Sequence, residues 1–519
     1  MSKMNFIIPG SDNLVSHFEE VDGRKVLYVD GSPFAVLTVE IPWWDLLYDQ
    51  YSETLDVYDY LYPAAKKMGL NAIKVPIKWS MVEAEKGRYD FTYLEHAKKM
   101  AEENDLKLVV GWFGHYASGD GNIYRNMTGE VFAPMYVIED VKTYPRAIDG
   151  DGVAHHNSAS YDSTAIVEVE TDAFTAFMKH IREIDEATQT IVMVQVENEI
   201  AVFGADRQNR KMWRDHSQSS NRKFIEKKFT DEDDLKFSAC AMTTNWLQPM
   251  TDAGKKEYPL PFFVNFVGGQ LEDWMVGGSP GEDVNTYLVN CPALDFCGLN
   301  LYTQPGRSVN DLRAALTAYK VGRNLPSITE TNSDMSGIAP RLACLSVGEF
   351  GSPIFAPWAL NASYPTPYQP YVLEDGSIAN GGPGLRECYE TINKAMAPIA
   401  YYAGTNKLKV FMGVDPGEKF SITTDLNGAK LMVSGQANGQ VIIIHPNERE
   451  FLIAGYRCQI SIATDKAIWP NLKDIKVEKG KWEGNQWFTE GEVHYTINQS
   501  ESTIGISLNT SQVQRIEIG

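Results

Sequence analysis

The segment IVMVQVE (residues 191–197) decides the fold, because it is an almost wholly apolar run that follows a stretch of helical period and ends in a charged residue. The preceding stretch, DAFTAFMKHIREID (172–185), repeats its apolar residues every three to four positions, as an amphipathic helix does. A short apolar strand after such a helix is typical of a parallel sheet, whose strands are buried on both faces. We therefore interpret residues 172–197 as one helix–strand unit of an α/β fold.

Eight apolar segments of this kind occur along the chain, and each has the length of a buried strand. Stretches of helical period separate them, such as residues 55–70 and 91–106. Eight strand–helix units are the number in a (β/α)8 barrel, or TIM barrel, so we predict this fold for residues 1–400, with insertions at 114–165 and 200–258. The predicted strands are FAVLTVEI (34–41), NAIKVPIKW (71–79), LKLVVGWF (106–113), IVMVQVE (191–197), LPFFVNFV (260–267), LDFCGLNLY (294–302), LPSITE (325–330) and SPIFAPWAL (352–360).

The last part of the chain, residues 405–519, has a different pattern. Alternating apolar and polar residues replace the helical period, in runs such as KFSITTDL (419–426) and QVIIIHP (440–446). Turn residues separate these runs, for example VDPGE (414–418) and QANGQ (436–440). We predict that this part forms a second, all-β domain, a small sandwich or barrel.

The charge balance limits the classes of partner. The chain of 519 residues carries 47 basic and 68 acidic side chains, a net charge of −21. This excess disfavours binding to nucleic acid or to anionic lipid, because both need clustered Lys and Arg. No apolar run reaches the roughly 18 residues of a membrane helix. We therefore expect a globular protein with no nucleic-acid or membrane partner, and the sequence is compatible with a homo-oligomer.

The six cysteines form no CxxC pair, so we expect buried, reduced thiols. The sequence has neither an HExxH motif nor a phosphate-cradling glycine loop, so we expect no metal and no cofactor. The N-terminal segment MSKMNFIIPGSDNLVS (1–16) has too short an apolar core for a secretory signal. The expected location is cytoplasmic, or exported with the signal peptide absent from this sequence.

Glutamates follow two of the predicted strands directly. Glu197 and Glu199 flank Asn198 at the end of the fourth strand, and Glu330 ends the seventh. In a (β/α)8 barrel the active site lies at the carboxyl ends of the strands. Because a strand alternates its faces, Glu197 and Glu199 should point the same way, with only one of them reaching the mouth of the barrel. Glu199 and Glu330 can converge there, since strands four and seven are three steps apart.

Two carboxylates that face each other across a barrel mouth are the pair that a retaining glycosidase needs. One protonates the leaving oxygen and the other attacks the anomeric carbon, with the carboxyl groups roughly 5–5.5 Å apart. Salt bridges on the barrel rim are the structural alternative for Glu199 and Glu330.

Aromatic residues at predicted strand ends are candidates for binding a sugar, because a flat ring can stack on its apolar face. Trp79 and Trp112 lie at the ends of strands two and three, Tyr302 ends strand six, and Trp358 lies in the segment of strand eight. Each ring taken alone could belong to the core instead. Glu40, at the end of the first strand, is a further candidate for contacting substrate.

These residues carry a family resemblance. The segment IVMVQVENEI (191–200) resembles the acid/base signature of glycoside hydrolase family 35, the β-galactosidases, within a clan of retaining (β/α)8 enzymes. WSMVEAEKGRYDF (79–91) is similar to a pattern that follows strand two in families 35 and 42. APMYV (133–137) and YPR (144–146) resemble a bacterial branch of family-35-like enzymes that carries an extra C-terminal β-domain. The resemblance covers most of residues 30–360.

The resemblance implies roles for individual residues. It implies Glu199 as the acid/base, Glu330 as the nucleophile and Asn198 as the neighbour that hydrogen-bonds the sugar 2-hydroxyl. Tyr302 matches a clan tyrosine that orients the nucleophile, and Trp358 matches an aromatic residue of the sugar-binding floor.

Two positions depart from the family pattern. TNSDM (331–335) stands where family 35 has a tryptophan-bearing stretch, and a lysine, Lys78, occupies the basic position of strand two. The preferred sugar and the aglycone side are therefore left open.

The sequence thus predicts a retaining glycosidase that cleaves terminal β-linked sugars from a carbohydrate partner, with β-galactosides as the first expectation. An endo-acting enzyme on a plant or algal polysaccharide is one alternative, with the two insertions forming cleft walls. A carbohydrate-binding barrel without turnover is the second alternative. Glu349, just before the eighth strand, is the one carboxylate that could replace Glu330 as nucleophile.

Overall fold

The computed structural model describes residues 7–43, 46, 54–115, 124–125, 130–148, 151–200, 239–267, 284–302, 307–331, 337–361, 370–463, 475–498, 500 and 502–518. Eight parallel strands form one sheet, and neighbours in the sheet follow the order of the chain. Seven of the strands lie within the predicted segments, and the strand of segment 325–330 extends one residue further, to Thr331, so the predicted fold class is confirmed. We number the barrel strands β1 (Val36–Leu37), β2 (Ala72–Lys78), β3 (Lys107–Phe113), β4 (Ile191–Val196), β5 (Phe262–Val267), β6 (Phe296–Leu301), β7 (Ser327–Thr331) and β8 (Ile354–Phe355).

The ring of strands closes at Glu40, just beyond β1. The main chain of Glu40 bridges to Lys74 of β2 on one side and to Trp358, beyond β8, on the other. The N–H of Ile41 donates to the carbonyl of Lys74 at 2.8 Å, and the N–H of Lys74 donates to the carbonyl of Val39 at 2.9 Å. The first strand therefore joins the second through a short ladder that continues past its last residue.

Helices connect the barrel strands and cover the outside of the sheet. They are α1 (Leu61–Lys67), α2 (Trp79–Val82), α3 (Thr92–Glu103), α4 (Met135–Glu139), α5 (Thr164–Asp185), α6 (Gln248–Glu257), α7 (Val284–Asn290), α8 (Val309–Ala318), α9 (Ile338–Ala343), α10 (Gly382–Asn393) and α11 (Met396–Tyr402), with π-helical turns at Thr243–Leu247 and Cys344–Glu349. Of the predicted insertion 200–258, residues 201–238 lie outside the described residues, and the remainder includes α6, which leads into β5. Short strands Tyr124–Arg125, Glu130–Val131, Arg146–Ile148 and Ala154–Ala159 lie in the other insertion.

The helices of the described segments include none that is both long and apolar enough to cross a lipid bilayer. All six cysteines are buried and unbridged, as expected from their spacing.

The side chains that fill the barrel are apolar near the amino ends of β2 and β5 and polar two residues further along these strands. Towards the amino ends, Ala72 and Phe263 pack with Leu27, which belongs to a three-stranded N-terminal sheet (His17–Val21, Arg24–Val29, Ser32–Pro33). Two residues further along β2 and β5 stand Lys74 and Asn265, which are 1% and 0% exposed. Residues two apart share a face of a strand, so both pairs point into the barrel. Because a buried polar group must be paired internally, this upper layer forms a hydrogen-bonded network.

The C-terminal part is a nine-stranded antiparallel sheet, which confirms the all-β prediction for this region. Its strands are β9 (Leu408–Met412), β10 (Phe420–Leu426), β11 (Ala429–Asn447), β12 (Glu450–Ala463), β13 (Ile475–Glu483), β14 (Gln486–Glu492), β15 (Thr496–Asn498), β16 (Thr503–Leu508) and β17 (Gln512–Ile518). The first half of β11 pairs with β10 and its second half with β9. Between the halves, Asn438 has a φ of 59° and faces a register shift against β12, where Arg457 has a φ of 53°.

The C-terminal sheet has its own apolar core. Side chains from both halves of β11, such as Leu431 and Ile443, share this core with Ile460 of β12 and Ile516 of β17. The domain also contacts the barrel helices: the N–H of Trp482 donates to the carbonyl of Lys394 at 2.7 Å.

Candidate active site

The turn after β4 directs its two glutamates to different neighbours. Glu197 and Glu199 have φ values of 64° and 48°, a left-handed conformation that residues other than glycine adopt rarely. Glu197 is 0% exposed and accepts a hydrogen bond from the N–H of Gly114 at 3.1 Å. Glu199 instead accepts from the side chain of Asn300 on β6. The prediction that the two glutamates point the same way is wrong, because the strand ends before Glu197 and the turn interrupts its alternation.

Glu199 is held by amide side chains of two neighbouring strands. Its main-chain N–H donates to Oδ1 of Asn265 at 2.8 Å, and Nδ2 of Asn300 donates to its Oε1 at 2.8 Å. The hydroxyl of Thr329 donates to Oδ1 of Asn300 at 2.8 Å and fixes the orientation of that amide. The backbone and the carboxyl group of Glu199 are therefore both anchored to the barrel interior.

Glu330, on β7, lies among groups that favour its negative charge. It is 4% exposed, and the hydroxyl of Tyr302 donates to its Oε2 at 2.5 Å. Nδ2 of Asn265 donates to its Oε1 at 2.9 Å, and Nζ of Lys74 lies 3.9 Å from the same oxygen. Hydrogen bonds and a nearby cation both favour the ionised form of a carboxyl group.

Burial and like charges act in the opposite direction on Glu330. Burial raises its pKa well above the ordinary value, and the charges of Glu199 and Glu40 raise it further, against the effects of Lys74 and Tyr302. The hydroxyl group of Tyr302 is also desolvated next to these carboxylates, so its pKa is raised and it stays a hydrogen-bond donor. Since the carboxyl groups interact, they titrate as a group, and the site keeps a proton above the usual range of a glutamate.

The amide of Asn198 is fixed in one orientation. Its Oδ1 accepts from Nε2 of Gln195 at 2.9 Å and from Nδ2 of Asn265 at 2.8 Å. These two bonds occupy both lone pairs of the oxygen. The NH2 group of Asn198, which is 4% exposed, is therefore the part that can donate to a ligand.

A buried ion pair adjoins Glu330. Glu40 and Lys74 are each 1% exposed and form a close contact between Oε2 and Nζ. Burial raises the pKa of Glu40, and Lys74 opposes that rise. Lys74 thus lies between two carboxylates and is the basic residue of β2 that belongs to the site.

The basic residue of strand two that the sequence analysis named, Lys78, lies elsewhere. Its Nζ donates to the carbonyl of Leu46 at 2.6 Å and lies 6.0 Å from the ring centre of Phe132. Both lysines interrupt the same buried strand, and it is Lys74 whose Nζ lies 3.9 Å from Oε1 of Glu330.

The four predicted aromatic residues divide into two pairs. Tyr302 is 37% exposed, and Trp358 is half-buried beside Glu40. Trp79 and Trp112 are 0% exposed, so the prediction that they bind substrate is wrong. Trp79 donates to Glu83 at 2.8 Å, and Trp112 packs against Phe174 and Phe177 of α5, on the helix side of the barrel.

Glu349, the alternative nucleophile, lies before β8 and therefore near the amino ends of the strands. Nε and Nη2 of Arg313 donate to its two carboxylate oxygens at 2.7 and 3.0 Å. It is therefore remote from the strand ends where Glu330 lies.

A second carboxylate cluster lies on the other side of the β4 turn, and sequence reasoning missed it. His115, Glu170 and Glu197 are all 0% exposed, and their ligand atoms lie within 4.8 Å of one another, a spacing that could hold a metal ion. The indole N–H groups of Trp112 and Trp246 donate to Glu170 at 3.2 and 2.9 Å.

These donors make the second cluster a network of protein hydrogen bonds. Burial alone would raise the pKa of Glu170, but the charge of His115 and hydrogen bonds with His115, Glu197 and Trp112 lower it overall. A metal ion at Glu170 would have to displace these donors. In the sequence, His115 stands two residues after the end of β3. A titratable residue so close to a strand end was the signal that could have indicated this cluster.

Comparison with known proteins gives one family match and several structural matches. A family described as "Domain of unknown function (DUF5597)" matches residues 385–492, which run from α10 to β14. No curated protein matches the chain.

Among solved structures, the catalytic domain of β-amylase from Paenibacillus polymyxa matches with a TM-score of 0.50 and 12% identity, over 68% of this chain and 97% of that one. β-Galactosidase from the psychrophilic Marinomonas ef1 matches with a TM-score of 0.48 and 10% identity, over 69% of this chain and 60% of that one. β-Galactosidase from Bacillus circulans sp. alkalophilus gives 0.48 and 13%, over 71% of this chain and 57% of that one. At these identities a likeness concerns the fold alone, and the match to the β-amylase catalytic domain agrees with a (β/α)8 barrel.

Proposed function

We propose that this protein is a retaining β-glycosidase with Glu330 as nucleophile and Glu199 as acid/base. The observation that carries the proposal is the placement of Glu330 at the end of β7, under the electrostatic influence of Glu199 from the end of β4. Two coupled carboxyl groups at the carboxyl ends of barrel strands are what the double-displacement mechanism requires.

The roles of the two glutamates follow from their partners. Glu330 accepts hydrogen bonds from Tyr302 and Asn265 and faces Lys74, and these three partners favour its ionised form against the opposing effect of burial. The mechanism requires the proton on Glu199 when substrate is bound, whereas in the free protein burial and the charges of Glu199 and Glu40 raise the pKa of Glu330. In the proposed reactive state Glu330 is ionised and Glu199 carries the proton.

In the first step, a carboxylate oxygen of Glu330 bonds to the anomeric carbon while the bond to the glycosidic oxygen breaks. Glu199 gives its proton to that oxygen, and the leaving alcohol departs. In the second step, Glu199 takes a proton from water, and the water oxygen attacks the anomeric carbon. The ester bond to Glu330 breaks, and the sugar is released with its original anomeric configuration.

The surrounding residues suit a sugar bound at this point. The NH2 group of Asn198 can donate to the hydroxyl next to the anomeric carbon, and the exposed faces of Tyr302 and Trp358 can contact apolar faces of the ring. A β-galactoside is our first candidate because of the sequence resemblance to family 35. The likeness of the barrel to a β-amylase catalytic domain supports a carbohydrate as substrate.

A panel of nitrophenyl glycosides tests the proposal. We expect turnover of one or more β-glycosides, first of all the β-galactoside, with proton NMR showing the β-anomer as the first product. Glu349→Gln is the matched control, since it neutralises a glutamate whose partner, Arg313, lies outside the site. Release of the α-anomer would overturn the retaining mechanism. Sugar binding by calorimetry without turnover of any glycoside would instead support the silent binding barrel, and long oligosaccharide products from a polysaccharide would identify endo action.

A further inference from the structure

Asn265 of β5 contacts both halves of the proposed catalytic pair. Its Oδ1 accepts the main-chain N–H of Glu199 at 2.8 Å, and its Nδ2 donates to Oε1 of Glu330 at 2.9 Å. The same Nδ2 lies 2.8 Å from Oδ1 of Asn198 and 3.3 Å from Oδ1 of Asn300. Asn265 is 0% exposed, so these contacts are made without competition from solvent.

We propose that Asn265 is a positioning residue that sets the nucleophile and the acid/base relative to each other. The inference rests on the proposed function. Glu199 has an unfavourable φ of 48°, which persists only where the surroundings hold it, and the bond from its N–H to Asn265 is such a hold. The same side chain fixes one oxygen of Glu330, so one rigid strand determines both positions.

The chemistry of the position requires a side chain that both donates and accepts. An amide has an acceptor for the N–H of Glu199 and two N–H donors for the acceptors around it. An aspartate has nearly the same shape, but it has no donor when ionised and would place a further negative charge beside Glu330. Asn265→Asp therefore tests the donor function with little change in volume.

Loss of the Asn265 donor should change the pH profile of the enzyme, which a residue with a purely structural role would not do. The hydrogen bond from Asn265 stabilises the ionised form of Glu330, so its removal raises the pKa of the nucleophile further. The acidic limb of the pH profile of kcat/KM should then move to higher pH. Because Glu199 is also displaced, substrates with poor leaving groups, which need the proton most, should lose more activity than dinitrophenyl glycosides.

The experiment compares Asn265→Ala and Asn265→Asp with wild type on the best nitrophenyl glycoside of the panel. We expect kcat to fall on the order of 10²-fold, the loss typical of removing one preorganised donor, with a smaller change in KM. Asn324→Ala is the matched control. Asn324 is also buried, at 5% exposure, but it bonds the main chains of Cys297 and Tyr319 outside the site. We expect this control to lower the melting temperature and to leave the pH profile unchanged.

The outcomes separate this inference from the proposed function. If wild type is active and Glu330→Gln is not, but both Asn265 variants keep the wild-type kcat and pH limb, the positioning role is overturned and the function stands. If wild type cleaves no glycoside, the proposed function itself fails. Circular dichroism establishes that the variants are folded, and if Asn265→Ala is not folded, the near-isosteric Asn265→Asp decides the question.

Discussion

Two buried carboxylate clusters lie on either side of the turn after β4, and they differ in how their charge is balanced. In one cluster, Glu170 accepts hydrogen bonds from two tryptophans and contacts His115. In the other, Glu330 also accepts hydrogen bonds, but it lies under the influence of Glu199 and Glu40. The pKa of Glu170 is lowered, whereas the pKa of Glu330 is raised.

The comparison separates a carboxylate that stabilises the fold from the one that we propose as the nucleophile. A lowered pKa means that folding favours the charged form, so Glu170 contributes stability when ionised. A raised pKa means that folding disfavours the charged form, a condition that is typical of functional sites. Glu197 and Glu199, two residues apart, belong to different clusters because of the left-handed turn that they share.

The largest expected difference between the clusters concerns activity. Glu330→Gln removes the proposed nucleophile, and we expect kcat to fall by a factor on the order of 10⁴ to 10⁶. Glu170→Gln changes a group outside the proposed chemistry and should retain most of the activity in whatever fraction is folded. Steady-state rates, normalised to folded protein by circular dichroism, provide the measurement. Equal losses in the two variants would remove the functional distinction between the clusters.

Stability should respond in opposite directions. Glu170→Gln breaks a buried charge pair, and we expect the free energy of unfolding to fall by about 3 kcal/mol at neutral pH. Because the folded-state pKa of Glu170 is lowered, its contribution is present above the ordinary value of 4.5 and is lost as the pH falls through the folded-state pKa. The penalty of the substitution should therefore shrink on acidification.

Glu330→Gln should instead stabilise the protein at neutral pH. The folded-state pKa of Glu330 is raised, so its favourable contribution is present below 4.5 and is lost as the pH rises through the raised value. The neutral glutamine escapes this loss, and the two proteins should converge in stability below about pH 4. Urea unfolding between pH 4 and pH 8 tests both variants. A Glu330→Gln protein that is less stable than wild type at pH 8 would contradict the assignment.

The smallest expected effect comes from Tyr302→Phe, which removes one hydrogen bond to Glu330 and keeps the ring. We expect kcat to fall about 10-fold, less than for either proposed catalytic glutamate. The acidic limb of the pH profile should move to higher pH, because loss of the hydrogen bond raises the pKa of Glu330. Tyr401→Phe, on a tyrosine of α11, is the control and should leave both quantities unchanged. An unaltered pH limb in Tyr302→Phe would show that its hydroxyl does not tune the nucleophile.

Strand positions and strand ends were the parts of the molecule that could be predicted. A barrel strand is apolar on both faces, so each of the eight strands is visible in the sequence, and Glu199 and Glu330 stand out where strands four and seven end. The face of a residue within such a strand is not visible in the same way. Trp79 and Trp112 were therefore assigned to the mouth of the barrel although they lie on its helix side.

The residues that were missed lie inside strands. Lys74, Asn265 and Asn300 are polar residues that interrupt apolar runs, and their contacts with Glu199 and Glu330 show that they belong to the site. A polar residue that interrupts a two-sided buried strand was the available signal, since such a residue must find partners inside the barrel. The left-handed turn at Glu197 and Glu199 had no comparable signal, because neither residue type favours that conformation.

Glu40 links the closure of the barrel to the electrostatic environment of Glu330. The main chain of Glu40 fastens the seam between β8 and β2, while its side chain holds Lys74. A fluctuation that parts the seam would also withdraw the cation facing Glu330. A ligand that binds Glu40 in the closed barrel would, by the same linkage, stabilise the closed form and make opening of the barrel rarer.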